Sequence, residues 1–454
     1  MKAIKLLTAA SLLATVSTSA FADQTIHIGG STAFRAAVHN AVVHLMTAGG
    51  NTCHVAFNGS SLAGANQAVF QGTVAGLSGT TTIETAWNGS ITGIAGLVVS
   101  SEKFAFMLPS NITTGTATAS TQPNNPGTSQ FSNFGLLPGP SLATGSSGTT
   151  SATETVAPDI ALSDAFVSST PFKSTNGFAA VNDVNVGIIP FTWMKNAALS
   201  SDTDFAGWQR LTNISTLQAK FLFTSGIVSG SDLTGNAADG FIVSLAGRDY
   251  DSGTRFDALA EAASAGTTQI LQFGDSPAGS GVFKLASGSG VTSVVSSTPG
   301  ANVQIQSTLS TTLPANGGFN SGGKLDAAMQ ATGTDAAPDF GGYVVCYTGA
   351  SDADTVLGVT STGGNSAPAG YNTPTALTFN GVSLSKANVA NGTYSFWTFE
   401  HYLTPTSISG TTATFSTALF NQLKNTDAAV AGYKISDLAP GVSRSVEGGV
   451  ISLP

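Results

Sequence analysis

Charge is what this chain has least of. Of its 454 residues only 9% are charged, against roughly 25% in an average soluble protein. The balance is acidic, with a formal net charge of −9, which argues against nucleic acid or an anionic membrane as partner. An anion would need a local site that overrides the overall field. Cysteine is nearly absent too: Cys53 and Cys346 could pair in an oxidising compartment or stand as two buried thiols, and their spacing favours neither. Beyond the N-terminal segment, no apolar run reaches the ~18 residues of a membrane-spanning helix. The five histidines (His27, His39, His44, His54 and His401) show no metal-ligand spacing in the sequence. No G-x-S-x-G turn is present to support a serine hydrolase.

What is there begins with an export signal. Lys2 and Lys5 precede a short apolar stretch from Leu6 to Val16, and Ala20-Phe21-Ala22 makes an A-x-A cleavage site. Residues 1–22 are therefore expected to be removed, leaving a mature chain from about Asp23. Neither cysteine lies near the cut to carry a lipid, so a soluble product is expected in the periplasm or beyond the cell. About 430 residues remain, enough for two or three cores. Apolar residues make up 41% of the chain and recur along its length, so Gly, Ser and Thr take the surface places that Lys and Glu usually fill. This is a folded chain, not a disordered one.

The pattern of elements alternates between strands and helices. Thr25–Ile28 reads as a strand, Gly29-Gly30-Ser31-Thr32 as a turn, and Phe34, Val38, Ala41, Val42 and Leu45 as a helical stripe closed by Gly49-Gly50. A second strand, Thr82–Trp87, runs into Asn88-Gly89-Ser90-Ile91-Thr92-Gly93 ahead of Ile94, Leu97 and Val98. Short strands are expected at Ile160–Ser163, Asn185–Trp193, Phe241–Ala246 and Tyr343–Tyr347, with a short helix and a turn in 213–233. Behind Ala246 stands Gly247-Arg248-Asp249-Tyr250-Asp251-Ser252-Gly253-Thr254, followed by a helical stripe that stops at Gly266. From Phe104 to Thr153 there is no charge before Thr153, and the stretch reads as a long loop or added β-structure. A second uncharged stretch, between Lys284 and Lys324, holds hairpin candidates at Val291–Val295 and Val303–Ile305. The expected fold class is α/β with mixed sheets and β-rich or loop insertions.

Three times, then, a strand ends in a Gly/Ser/Thr turn that opens a helix: at Ser31-Thr32, at Ser90–Gly93 and at Ser252-Gly253-Thr254. Each turn leaves backbone N–H groups unpaired and aims the positive end of a helix dipole outward. Any one of them alone is an ordinary helix cap. Three converging would cradle an anion, and Arg248 could clamp it through charge-assisted hydrogen bonds.

These segments resemble the periplasmic phosphate-binding proteins of ABC transporters. Gly29-Gly30-Ser31-Thr32-Ala33-Phe34 is similar to that family's opening G-x-G-[ST]-T-F turn. Ala161-Leu162-Ser163-Asp164-Ala165 is similar to its G-A-S-D-A, and Arg248–Thr254 to its R-x-D-G-S-G-T. Phe223–Gly226 with Asp232-Leu233, and Asn380-Gly381-Val382 with Asn388–Gly392 and Tyr394, follow in family order. The resemblance implies a two-lobed type II periplasmic-binding fold. Lobe I would hold 23–192 plus 380–454, with an insertion at about 101–157; lobe II would hold 193–379, with an insertion at about 275–323. It also implies phosphate contacts from Ser31, Thr32, Ala33, Thr92, Arg248, Ser252, Gly253 and Thr254. Asp164 would accept a hydrogen bond from a protonated phosphate oxygen and repel sulfate, which has no proton to offer. Implied with these are a monomeric, non-enzymatic receptor without cofactor or metal, and an ABC permease in the inner membrane as partner for the captured phosphate or related oxyanion. Two positions depart from the pattern: Tyr250 stands where the family has an acidic residue, and Ala33 where it has an aromatic.

Other readings carry less. Gly318–Lys324 has the spacing of a nucleotide P-loop, but Leu325 follows where Ser or Thr is required. Asp249-x-Asp251 resembles the start of a calcium loop, yet its twelfth position is Ala260. A secreted or surface structural protein that keeps the fold without a transport role is the alternative function, and a phosphatase on the same scaffold a third.

Overall fold

The structure is a computed structural model. It describes residues 24–59, 61–121, 139–144, 152–174, 178–266, 268, 270, 272–275, 283–285, 318–329, 343–354, 356–357 and 372–453. The export signal and the hairpin candidates at 291–305 lie outside these residues.

The chain is mixed α/β, as its strand–helix alternation implies. Nine strands carry the part of the sheet that matters for function: β1 (Gln24–Gly30), β2 (Cys53–Phe57), β3 (Gln67–Gly72), β4 (Thr81–Ala86), β5 (Ile160–Ser163), β6 (Val181–Lys195), β7 (Ile242–Ala246), β8 (Tyr343–Gly349) and β9 (Trp397–Pro405). They lie in the order β7-β8-β6-β9-β5-β1-β4-β3-β2 within one continuous path of hydrogen-bonded strands. β1 pairs parallel with both β4 and β5, and β7 pairs parallel with β8. Parallel strands release their chains at the same edge, so the turns that follow β1, β4 and β5 emerge side by side. In open α/β sheets that carboxyl edge is where ligands bind.

β6 joins the two groups of strands and is longer than the 185–193 stretch expected from sequence. Its first part pairs with β9 from Val181↔Pro405 to Pro190↔Trp397, with a bulge between Asn185 and Gly187. From Phe191 to Lys195 it pairs instead with β8. Pro190 sits where the partner changes, a place where a missing N–H costs least.

The local devices read from sequence appear largely as expected. α1 (Arg35–Thr47) buries Val38, Ala41, Val42 and Met46, and its end is turned by Gly49 and Gly50 at φ 71° and 84°. α2 (Ser90–Val98) and α3 (Gly253–Glu261) follow the second and third turns, α3 stopping before Gly266. The 213–233 stretch holds two helices, Thr216–Ser225 and Gly230–Thr234, because Gly226 at φ 69° ends the first. Within the uncharged stretch from Phe104, described residues form added strands: Phe104–Met107 pairs with Thr153–Val156, while Thr116–Thr118 and Ser141–Thr144 extend the sheet beyond β2. Cys53 and Cys346 are free and buried. Among the described residues no helix is long and apolar enough to cross a membrane.

Candidate anion site

The three turns do meet. Ser31 N donates to Leu162 O (2.9 Å) and Gly89 N to Gly30 O (3.0 Å), which ties the turns after β1, β4 and β5 together. These approaches need glycine. A Cβ on Gly30, whose φ is +116°, would lie 2.1 Å from Leu162 O, and one on Gly93 would lie 2.7 Å from Gly30 Cα. The third turn reaches across: Ile91 N donates to Asp251 O (3.1 Å) and Thr92 Oγ1 donates to Asp251 Oδ2 (2.6 Å).

All nine residues expected at the site are buried or nearly so, and hydrogen bonds and close approaches link most of them. Arg248, 1% exposed, donates from one Nη to Thr32 Oγ1 (3.1 Å). Asp164, also 1% exposed, accepts from Ser90 Oγ and from Thr254 Oγ1 (3.4 Å). Gly253 lies against it, since a Cβ there would stand 1.5 Å from Asp164 Oδ1. Ser252 Oγ is turned inward as the cap of α3, accepting from Arg255 N (3.4 Å). Ser31 Oγ donates to Glu400 Oε2 (3.3 Å). Ala33 contributes no side-chain polar group and lies near Gly349. The first turn's aromatic, Phe34, points into the core beside Gly187.

The Tyr250 departure has a packing explanation. Tyr250 is 1% exposed in an apolar cluster with Ile91, Ile94, Phe256 and Leu403. The carboxylate that meets the second turn is Asp251, one residue further on.

Four partners were not legible beforehand. Arg35 is the first residue of α1 and is buried. It donates to Asn66 Oδ1 (2.7 Å) and faces Asp352 Oδ1 at 3.7 Å. Burial pulls its pKa down, Asp352 pushes it up, and the positive Arg248 pulls it down again, so the two guanidinium groups feel each other. Glu400 is fully buried. Asp257 on α3 has neither carboxylate oxygen hydrogen-bonded among the described residues. The P-loop-like segment supplies main chain: Arg248 Nε donates to Phe319 O (2.9 Å) and an Nη to Asn320 O (3.2 Å).

Electrostatically the site is a buried cluster in which acids outnumber guanidinium groups. Burial raises the pKa of Asp164, with Ser90 and Arg248 opposing it. It does the same for Asp251, with the hydrogen bonds from Asp249 and Thr92 opposing. Asp257 and Glu400 are pushed well up, by burial first and by the charge of Asp164 second. A carboxyl whose pKa is raised on folding binds more protons folded than unfolded, so stability falls as pH rises from its ordinary range, near ~4, towards the raised value. The ligand-free protein is therefore expected to melt at a higher temperature at pH 5 than at pH 7.5. Scanning calorimetry across that range checks this, and a melting temperature that rises with pH would contradict it.

No protein-family model matches the chain, and no curated protein matches it. Among solved structures it is similar to a putative phosphate ABC transporter substrate-binding protein with bound phosphate from Clostridium perfringens. The two are 10% identical over 91% of this chain and 100% of the other, with a TM-score of 0.43. It is also similar to PstS from Borrelia burgdorferi (10% identity, 91% and 98% covered, TM-score 0.36). A third is an ABC-type phosphate transport receptor from Vibrio cholerae (11% identity, 62% and 80% covered, TM-score 0.33). These are proteins of the class that the motif order resembles. Similarity this distant speaks to neither the ligand nor the partner.

Proposed function

We propose that this chain is an exported solute-binding protein that captures inorganic phosphate, or a related tetrahedral oxyanion, and delivers it to an ABC permease. The observation that carries the reading is Arg248. Its buried guanidinium bonds Thr32 of the first turn, and the turn that follows it in sequence bonds Thr92 through Asp251 and Asp164 through Thr254. The guanidinium, the hydroxyls and the amides of the turns offer donors to an oxyanion with several acceptor oxygens.

Ser31, Thr32, Ala33, Thr92 and Asp164 would come from lobe I (23–192 plus 380–454). Arg248, Ser252, Gly253 and Thr254 would come from lobe II (193–379). The change of partner at Pro190 in β6 supports a hinge near that boundary, with closure burying the ion. The protein needs no nucleophile for this, and none of the hydroxyls at the site has a histidine beside it. It works as a monomer in the periplasm. Calorimetric titration of the purified protein with phosphate is the direct test: saturable binding of one equivalent is expected, and no heat at millimolar phosphate would sink the reading. That failure would favour the structural alternative, a secreted protein that keeps the fold without a ligand, which the low charge and the added β-structure would suit.

Asp164 sets the selectivity. As a carboxylate it accepts a proton-bearing oxygen and repels one that carries none. Asp164→Asn offers an amide donor instead. The ratio of phosphate to sulfate affinity is expected to fall at least ~10-fold, about the value of one neutral-for-charged hydrogen-bond exchange. Competition titrations with both anions measure it, and an unchanged ratio would remove Asp164 from the role.

A further inference from the structure

A second cluster of chemistry-bearing side chains lies at the middle of β1, on the face away from the main core. Ile26 and Ile28 point into that core, so His27 between them points to the other side. There it meets Glu84, its register partner on β4, beneath the antiparallel strand pair of Phe104–Met107 and Thr153–Val156, whose Phe106 ring lies 4.9 Å from the imidazole. Glu154 of that pair completes the group. His27, Glu84 and Glu154 each offer a ligand atom, and these atoms all lie within 4.8 Å of one another.

We infer that His27, Glu84 and Glu154 bind one divalent transition-metal cation of the zinc type, with Asp159 orienting the imidazole. The geometry fits such an ion. His27 Nε2 stands 3.1 Å from Glu154 Oε1 and 3.7 Å from Glu84 Oε2. Donors about 2.0–2.2 Å from a tetrahedral zinc are separated by roughly 3.4 Å from one another. Asp159 supplies the outer support that metal-bound histidines usually have: its Oδ2 lies 3.1 Å from Nδ1. Asp159 is itself pinned, accepting from His27 N (2.8 Å) while its own N donates to His27 O (2.8 Å). Both ring nitrogens face carboxylates, Nδ1 towards Asp159 and Nε2 towards Glu154, so a cation at Nε2 would take the place of a proton there.

A second observation points the same way. Glu84 is 1% exposed, and neither of its oxygens has a hydrogen-bond partner among the described residues. Among those residues no Lys or Arg pairs with it. A buried carboxylate left so is costly. One imidazole nitrogen with two carboxylate oxygens suits a borderline metal better than calcium, which takes six to eight oxygens. Glu154 and Asp159 are partly exposed and leave a way in. The donors lie on three separate strands, 57 and 70 residues apart in sequence, which is why linear spacing shows nothing.

The test is calorimetric titration of the purified protein with zinc chloride at pH 7.5, free of phosphate, with thermal melts alongside. One equivalent is expected to bind and to raise the melting temperature. Glu84→Gln keeps the shape of the side chain and removes its charge; it is expected to weaken zinc at least 10-fold while the metal-free protein melts no lower than the parent. His27→Gln is expected to do the same to zinc. Circular dichroism confirms that each variant is folded, so that loss of either fold leaves the other variant to decide. Phosphate titrations of both variants are expected to be unchanged, which separates this site from the anion site. Absence of saturable zinc binding would overturn the inference, as would zinc binding that both variants leave intact, or calcium competing on equal terms.

Discussion

Arg248→Ala is expected to abolish useful phosphate binding while leaving the protein folded. Truncating one member of a buried, hydrogen-bonded charge pair costs ~2–5 kcal/mol, which is roughly 30-fold to several-thousand-fold in affinity. The upper part of that range is expected here, because Arg248 is 1% exposed and holds Thr32, Phe319 and Asn320 together. Its removal takes away the charge and loosens two walls of the cradle. Arg248→Lys separates these effects. An ammonium keeps the charge but cannot reproduce the planar fork, so it is expected to recover part of the affinity, about 10-fold over alanine, without reaching the parent. Calorimetry with phosphate reads both variants, and a melting curve confirms the fold. A folded Arg248→Ala protein with the parent's affinity would remove the arginine from the anion site.

What the sequence makes legible is whatever acts locally. The turn at Ser31-Thr32, the glycines that stop α1 and the apolar stripes of α1 and α2 each depend on a few neighbouring residues and are found where expected, while α3 ends at Glu261, short of Gly266, and leaves Ala263 outside it. β6 runs past the expected 185–193 stretch at both ends, because its pairing with β9 already begins at Val181 and its pairing with β8 continues to Lys195, and those partners lie far away in sequence. The site divides in the same way. Thr32, Ser252 and Thr254 announce themselves as helix-start chemistry, whereas Asp164 is singled out only by the motif resemblance. Arg35 and Glu400 do not, yet each leaves a trace. Arg35 places a cation in the first turn of a helix, where the macrodipole disfavours it. Glu400 interrupts the apolar run of β9, Trp397–Pro405. Both break a local rule, and such breaks gather at functional sites. Phe319 and Asn320 contribute main-chain carbonyls, which no side-chain motif can reveal. The resemblance of their segment to a P-loop is a coincidence of glycine spacing beside the anion site.

Among the glycines of the described residues, Gly253→Ala is expected to bring the closest clash of any added methyl. The helix would welcome it in isolation, since alanine is favoured over glycine by up to ~1 kcal/mol inside a helix. The obstacle is the neighbour. The new Cβ would stand 1.5 Å from Asp164 Oδ1 and 2.9 Å from Ser90 Cβ. Asp164 has little room to yield, being buried and held by Ser90 and Thr254. Either the carboxylate swings away or α3 backs off from α2, and both outcomes pull apart groups that must act together on the anion. Overpacking of this kind costs about 1–3 kcal/mol of stability, and phosphate affinity is expected to fall at least ~100-fold with it. The double variant Gly253→Ala/Asp164→Ala tells the two losses apart. Shortening Asp164 makes room for the methyl, so the stability cost of Gly253→Ala is expected to shrink to a few tenths of a kcal/mol in that background, a coupling that the double-mutant cycle measures. Phosphate binding should not return, because the carboxylate that receives the protonated oxygen is gone. Recovery of binding together with stability would mean that Asp164 only fills space. A stability cost unchanged in the double variant would mean that Gly253 meets some other wall.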